Sequence, residues 1–410
     1  MTCNCARSDG RRYSASAPNL TVRFPRPQET AVGLIYYITQ VQFDFGAIRL
    51  VLAECERSGM RRPLICTDKG VVAAGLLDRL LTALGDLPVA VFDATPSNPT
   101  ESAVMAAVDA YRAHGADGLI ALGGGSAIDL AKGVAIMATH PGVLADYATI
   151  LGGSPKISTS VAPLIAIPTT AGTGSEVARG AIIVLDDGRK LGFHSWHLVP
   201  KTAICDPELT YGLPPRLTAA TGMDAIAHCI ETFLSKAVNP PADAIAFDGL
   251  ARGLKHIEKA TQEPRDPAAR WNMMSASMQG AMAFQKGLGA VHSLSHALGG
   301  LKLGAEKIGP HHGTLNAVLL PEVIKFNEKT VPERVQSIAS VFGVTGGEEL
   351  ALAIRSLNRR LGLPSGLDDM AITAELYDDV ATNALKDHCH ATNPRVATHA
   401  DYVAMLAASA

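Results

Sequence analysis

The sequence predicts an α/β half followed by an all-α half, and three observations carry that prediction. From about residue 34, short apolar runs alternate with helical segments of roughly 10–15 residues, which demands βαβ crossovers and a largely parallel sheet. Two of those apolar runs end in loops rich in glycine, serine and threonine. Beyond about residue 208 the strand signals fade and helical spacing takes over. The chain has 410 residues, enough at about 150 per domain for two domains or three small ones. The divisions expected are a polar N-terminal extension over residues 1–33, an α/β unit over 34–208 and an all-helical unit over 209–410.

Element by element, the run GLIYYITQVQFDFG reads as a strand and AIRLVLAECERSGM as a helix. PLICTD is a short buried strand, and VVAAGLLDRLLTAL an amphipathic helix. PVAVFD, then TESAVMAAVDAYRAHG, repeat the pair, as do DGLIALGGG and SAIDLAKGVAIMAT. APLIAIPTTAGTGSE supplies another apolar strand, and GAIIVLDDGRKLGFHS another with a polar turn. In the second half, MDAIAHCIETFLS, ADAIAFDGLARGLKHIEKA, AARWNMMSASMQGAMAFQ and LNAVLLPEVIKFNE all carry helical spacing.

Composition narrows the function classes. Thirty-six Lys and Arg stand against 39 Asp and Glu, a net charge of -3, so neither nucleic acid nor an anionic membrane is an expected partner. No apolar run approaches the ~18–20 residues that a bilayer-spanning helix needs. The seven cysteines, at 3, 5, 55, 66, 205, 229 and 389, show no CxxC pairing, which argues against a disulfide framework or zinc finger and for a reducing cytoplasm. The first residues lack the apolar core of a secretory signal.

Two loops look built for phosphate. GGGS places Gly123, Gly124, Gly125 and Ser126 where a strand turns into a helix, so free backbone N–H groups face a ligand that bare glycines let approach. Neither GxGxxG nor the P-loop pattern is present. PTTAGTGSE brings Thr169, Thr170 and Thr173 to the C-terminal end of another strand, the edge where open α/β sheets collect ligands. Asp68, ending PLICTD, is placed to accept from a ribose hydroxyl. A solvated tight turn is the alternative for each loop.

The helical half concentrates imidazoles. Asp224 and His228 lie four apart, as do His292 and His296, so each pair shares a helical face. His311 and His312 stand at the mouth of a further helix. One carboxylate with several imidazoles suits Fe(II) or Zn(II), whereas Ca and Mg favour more oxygens. Simple ion pairing of Asp224 with His228 is the structural alternative.

GGGSAIDLAK, PTTAGTGSE, GMDAIAHCIE, GLGAVHSLSHALGG and HHGTLNAVLLP, in this order, resemble the iron-containing (group III) alcohol dehydrogenases. The resemblance runs from about residue 37 to 327 and more faintly beyond. It implies a Rossmann-like nucleotide-binding domain, an all-helical metal-binding domain of the type shared with dehydroquinate synthase, and a divalent metal in the cleft between them. The implied ligands are Asp224, His228, His292 and the His preceding Gly in the last motif. The family motif reads P-H-G, whereas this chain has Pro310, His311, His312 and Gly313. Keeping the distance to Asn316 selects His312, with His311 as competitor because the preceding stretch is longer than usual. The matching cofactor positions are Asp68, Gly124, Gly125, Ser126, Asp129, Thr169, Thr170 and Thr173, with Lys132 and Lys190 as further phosphate or ribose contacts.

The implied reaction is hydride exchange between NAD(H) and a small alcohol or aldehyde, a hydroxy acid or semialdehyde included. Fe(II) is the metal the family favours and Zn(II) the alternative, with His296 passing the alcohol proton. Asp68 favours NAD over NADP. A cytoplasmic homo-oligomer, such as a dimer, is the implied setting. Maleylacetate reductase, glycerol dehydrogenase, dehydroquinate synthase and a non-catalytic nucleotide binder are alternatives on the same scaffold.

Overall fold

The computed structural model describes residues 39–301 and 310–410. The polar extension over 1–33, Cys3 and Cys5, the start of the first strand run and most of the long stretch before Pro310 lie outside the described residues.

Six strands form one parallel sheet: β1 (Gln40–Phe43), β2 (Leu64–Cys66), β3 (Ala90–Phe92), β4 (Leu119–Gly123), β5 (Leu164–Pro168) and β8 (Thr202–Cys205), in the order β1-β8-β5-β4-β2-β3. Alternation along the central strands explains the two-sided burial. Leu119, Ala121, Leu164 and Ala166 pack to one side against α4 (Glu101–His114) and α5 (Gly125–Met137). Ile120, Leu122, Ile165 and Ile167 pack to the other against α1 (Val51–Arg57) and α3 (Leu76–Leu84). The strand with a polar turn is an antiparallel hairpin outside this sheet, β6 (Gly180–Val184) with β7 (Lys190–His194).

Two departures from the sequence expectation have physical causes. The helix expected over 71–84 is two helices, α2 (Lys69–Ala73) and α3, because Gly75 between them adopts φ 72°. Strand β8 was not anticipated. Its four residues, TAIC, are all buried between β1 and β5, and a buried run that short shows no alternation.

From Pro215 onward the described residues contain helices and no strand. They are α6 (Pro215–Leu234), α7 (Pro240–Gln262), α8 (Pro267–Ala283), α9 (Ala290–Gly299), α10 (His312–Glu328), α11 (Pro332–Val341), α12 (Gly346–Arg360), α13 (Tyr377–Ala384) and α14 (His399–Ala408). Starts are set locally: Asn239 and Asp266 accept from the Ala242 and Ala269 amides ahead of prolines at the first helical turn. Helix α6 is buried without a break from Thr218 to Leu234, the mark of a central helix. The stretch Pro332–Arg360 is, against expectation, long and apolar enough by composition to span a membrane. It folds as α11 and α12, turned by Gly343 at φ 73°, and neither piece has the ~20 residues a spanning helix needs.

Candidate active site

Strands β2, β4 and β5 are neighbours, and their C-terminal ends meet at one edge of the sheet. Asp68 follows β2, its Oδ1 accepting from the Val71 amide at 3.0 Å to cap α2. Gly123, in register with Pro168, opens the turn into α5. Gly124 is the residue that caps α5 and offers no side chain to the free N–H groups, which are left for an anion. A Cβ on Gly125 would lie 2.8 Å from the Thr173 methyl, so only glycine lets the threonine loop close against this turn. Ser126 donates to the Ser97 carbonyl.

A cleft of about 1500 Å³ runs from this edge to the helical half. Asp68, Gly124, Gly125, Ser126, Asp129, Thr169, Thr170, Thr173 and Lys190 all line it, as do Asp224, His228, His292, His296 and His312. Lys190 reaches it from the start of β7, its Nζ donating to Asn98 Oδ1 at 3.1 Å. Two of the expected cofactor contacts are otherwise engaged. Asp129 accepts from Ser175 Oγ at 2.6 Å and the Ile182 amide at 2.9 Å, which occupies both carboxylate oxygens inside the protein. Lys132 does not reach the cleft. It is fully buried and its Nζ donates to the carbonyls of Ser175, Ala178 and Gly180 and to Ser175 Oγ, a role that ties α5 to the loop leading into β6.

In the helical half, α6 presents Asp224 and His228, α9 presents His292, and α10 begins with His312. Gly313 makes this convergence feasible, since any Cβ there would fall 2.3 Å from the Ala220 carbonyl of α6. Asp224 Oδ1 lies 3.6 Å from His228 Nε2, 3.6 Å from His292 Nε2 and 3.8 Å from His312 Nε2. His311 caps α10 outside this cluster, its Nδ1 3.5 Å from Thr314 Oγ1.

Glu231 orients His292. It accepts from His292 Nδ1 at 2.6 Å and from the Val291 amide at 2.7 Å. A carboxylate only accepts, so Nδ1 carries a proton and Nε2 is the nitrogen turned to the cluster, where a metal would take its lone pair. Asn316 Nδ2 donates to Asp224 at 2.7 Å and sits 3.2 Å from the Nε2 atoms of His292 and His312, while its Oδ1 is buried without a partner. Against the effect of burial, the three imidazoles hold the Asp224 carboxyl well below the usual range. Burial pushes His228 down to about 4, so it is a neutral imidazole at pH 7.

The donor set fits a divalent transition ion. Bonds of ~2.0–2.2 Å in tetrahedral geometry hold ligand atoms roughly 3.3–3.6 Å apart, close to the spacings around Asp224. One buried carboxylate with three imidazoles is chemistry for Fe(II) or Zn(II).

His296 lies one turn beyond His292, its ring stacked 5.3 Å from that of His312. Its Nδ1 is 2.9 Å from Asp387 Oδ2, and Asp387 Oδ1 also accepts from the Cys389 amide. Burial opposes ionisation of Asp387, yet His296 holds its carboxyl well below the ordinary range. Sequence reasoning missed Glu231, Asn316 and Asp387. Glu231 was findable, being seven residues from Asp224 and therefore on the same face of α6.

One cleft thus sets a glycine- and threonine-rich sheet edge opposite a carboxylate and three imidazoles, the arrangement expected of a metal-dependent dehydrogenase. The chain belongs to the iron-containing alcohol dehydrogenase family: the pattern described as iron-containing alcohol dehydrogenase matches residues 39–207, and that of the family's C-terminal part matches 218–410. It is an enzyme, an oxidoreductase acting on a small alcohol or aldehyde. A 4-hydroxybutyrate dehydrogenase of Cupriavidus necator is 62% identical over 92% of this chain and 99% of its own length. Among solved structures, a 1,3-propanediol oxidoreductase superposes with TM-score 0.86 at 34% identity, covering 92% of this chain and 99% of that one. A sulfoacetaldehyde reductase of Bifidobacterium kashiwanohense in complex with NAD+ superposes with TM-score 0.81 at 30% identity, covering 92% and 98%.

Proposed function

We propose that this enzyme moves hydride between NAD(H) and the terminal carbon of a short ω-hydroxy acid, with 4-hydroxybutyrate and its semialdehyde as the first pair to test. The observation that carries the reading is the single cleft joining the sheet-edge loops to the Asp224 cluster, and the 62% identical 4-hydroxybutyrate dehydrogenase supports the substrate. Gly124, Gly125, Ser126, Thr169, Thr170, Thr173 and Lys190 hold the phosphates, and Asp68 accepts from a ribose hydroxyl. Asp224, His228, His292 and His312 hold the metal, with Fe(II) expected ahead of Zn(II). When bound, the ion supplies Lewis acidity toward charge developing on the substrate oxygen. His296, anchored through Nδ1 by Asp387, keeps Nε2 to exchange the substrate proton. Burial of the cluster keeps bulk water from the reacting atoms. The α/β unit serves the cofactor and the helical unit the metal and substrate, with cytoplasmic location and a homodimer expected.

The test is NADH oxidation by protein purified without oxygen and loaded with Fe(II) or Zn(II), using succinic semialdehyde as substrate. Turnover that needs the metal and exceeds that with NADPH is expected. No turnover under either metal sinks the reading.

A further inference from the structure

The cations around the cleft are not equivalent. Arg79 is paired with Glu208 at 2.8 Å, Lys286 with Asp243, and Lys190 with Asn98. Lys69 and Arg265 are exposed and solvated. Arg179 is half-buried, lines the same cleft, and has no ion pair or side-chain hydrogen bond among the described residues. Its guanidinium lies over the Trp196 ring at 4.9 Å, a contact that holds the head group in place without neutralising it. Burial pushes the guanidinium down from its ordinary range. A desolvated cation with no partner is costly, and an anion entering the cleft removes that cost.

The surroundings fix which anion. Arg179 immediately precedes β6, and its carbonyl accepts from the Ser195 amide at 3.1 Å, so the base of the hairpin presents the side chain rigidly. Within reach of its charge lie His194, whose Nδ1 is 3.0 Å from Thr149 Oγ1, and His388, whose ring is 4.7 Å from that of His194. Burial, before any neighbouring charge, pushes His194 down to about 3, so it offers a neutral ring. The nearby Asp387 is spent on His296 and the Cys389 amide. The rings form a row that leads away from the Asp224 cluster: His312 to His296 5.3 Å, His296 to His388 5.8 Å, His388 to His194 4.7 Å.

We propose that Arg179, flanked by His194 and His388, receives the distal carboxylate of the substrate and makes the enzyme selective for short ω-hydroxy acids over neutral alcohols of the same length. The inference rests on the hydroxy-acid reading above. It adds the group that recognises the acid.

The test compares 4-hydroxybutyrate with 4-hydroxybutyramide, which differ only in charge, on the metal-loaded enzyme and on Arg179→Met and Arg179→Lys. The ratio of kcat/KM for acid over amide is expected to fall on the order of 10²-fold in Arg179→Met and to recover in part in Arg179→Lys. An unchanged ratio overturns the proposal, and so does a rise in KM for NAD+ that is equal with both substrates, which would assign Arg179 to the cofactor. Calorimetric titration of butyrate into the wild type and Arg179→Met reads the same contact without turnover. Weaker binding by a similar factor is expected, and equal affinity overturns the proposal whatever the kinetics. A wild type that turns over the amide as well as the acid defeats the hydroxy-acid reading itself, and one that turns over neither while butyrate still needs Arg179 defeats only the hydride reading.

Discussion

At the scale of single residues, the neighbouring imidazoles at the start of α10 separate cleanly. His312 points its Nε2 at Asp224 and His311 does not, so His312→Ala is expected to abolish bound metal while His311→Ala retains it, as metal analysis of each purified variant will read. Glu231→Gln should cost about 10–100-fold in metal affinity, because His292 loses the carboxylate that fixes its orientation. His296 is expected to behave differently. His296→Ala should keep the metal and the NADH affinity yet lose ~10²–10⁴ in turnover, and Asp387→Asn should lose about 10–100-fold through the same imidazole. Retained turnover in His296→Ala leaves it no catalytic part, and lost metal makes it a ligand. The spacing of Asp224, His228, His292 and His296 made these residues legible in the sequence, because four-residue steps on a helix are self-evident faces. Asp387 was not legible: it meets His296 across 91 residues of chain, a contact that only the packing of the turn after α13 creates.

At the scale of elements, the two glycine and threonine loops were legible because each follows an apolar strand, and β4 and β5 set them side by side. The family resemblance puts Asp129 and Lys132 at the cofactor, and the structure shows what else engages them: Asp129 lines the cleft with both oxygens already accepting, while Lys132 is fully buried away from it. Four and seven residues on from Gly125, the two lie along one face of α5, the face that packs against the segment from Ser175 to Ile182. The expected outcome of Lys132→Met is therefore a structural one, a loss of about 2–4 kcal/mol in denaturant unfolding from acceptors left without a donor. If instead stability holds and only the KM for NAD+ rises, Lys132 reaches the cofactor after all. Strand β8 was hidden for a different reason. Its neighbours in the sheet, β1 and β5, come from far earlier in the chain, so its burial is a tertiary fact.

At the scale of the whole molecule, the ligands proposed for the metal all belong to three helices of one half, α6, α9 and α10, while the loops proposed for the phosphates belong to the sheet edge of the other. Asp224 is 2% exposed, and without a metal its charge is met by an Asn316 amide and by His292, which against its burial the Asp224 and Glu231 carboxylates push up to about 9. A bound ion takes over that countercharge, releases the proton from Nε2 and links the three helices at once. Any ligand that binds the folded state alone stabilises it by RT ln(1 + [L]/Kd), about 2.7 kcal/mol at a hundredfold excess over Kd. For a cooperative unit the size of the helical half, that is a shift of roughly 5–10 °C in Tm. Chelation should thus lower the Tm by about that amount, and Fe(II) or Zn(II) added back should restore it. NAD+ reaches groups that the metal does not touch, so its own stabilising shift should persist in the chelated protein, since effects at separated sites add. Equal Tm values with and without metal would remove the ion from this cluster. An NAD+ shift that vanishes on chelation would mean instead that the cofactor is held mainly from the helical side of the cleft.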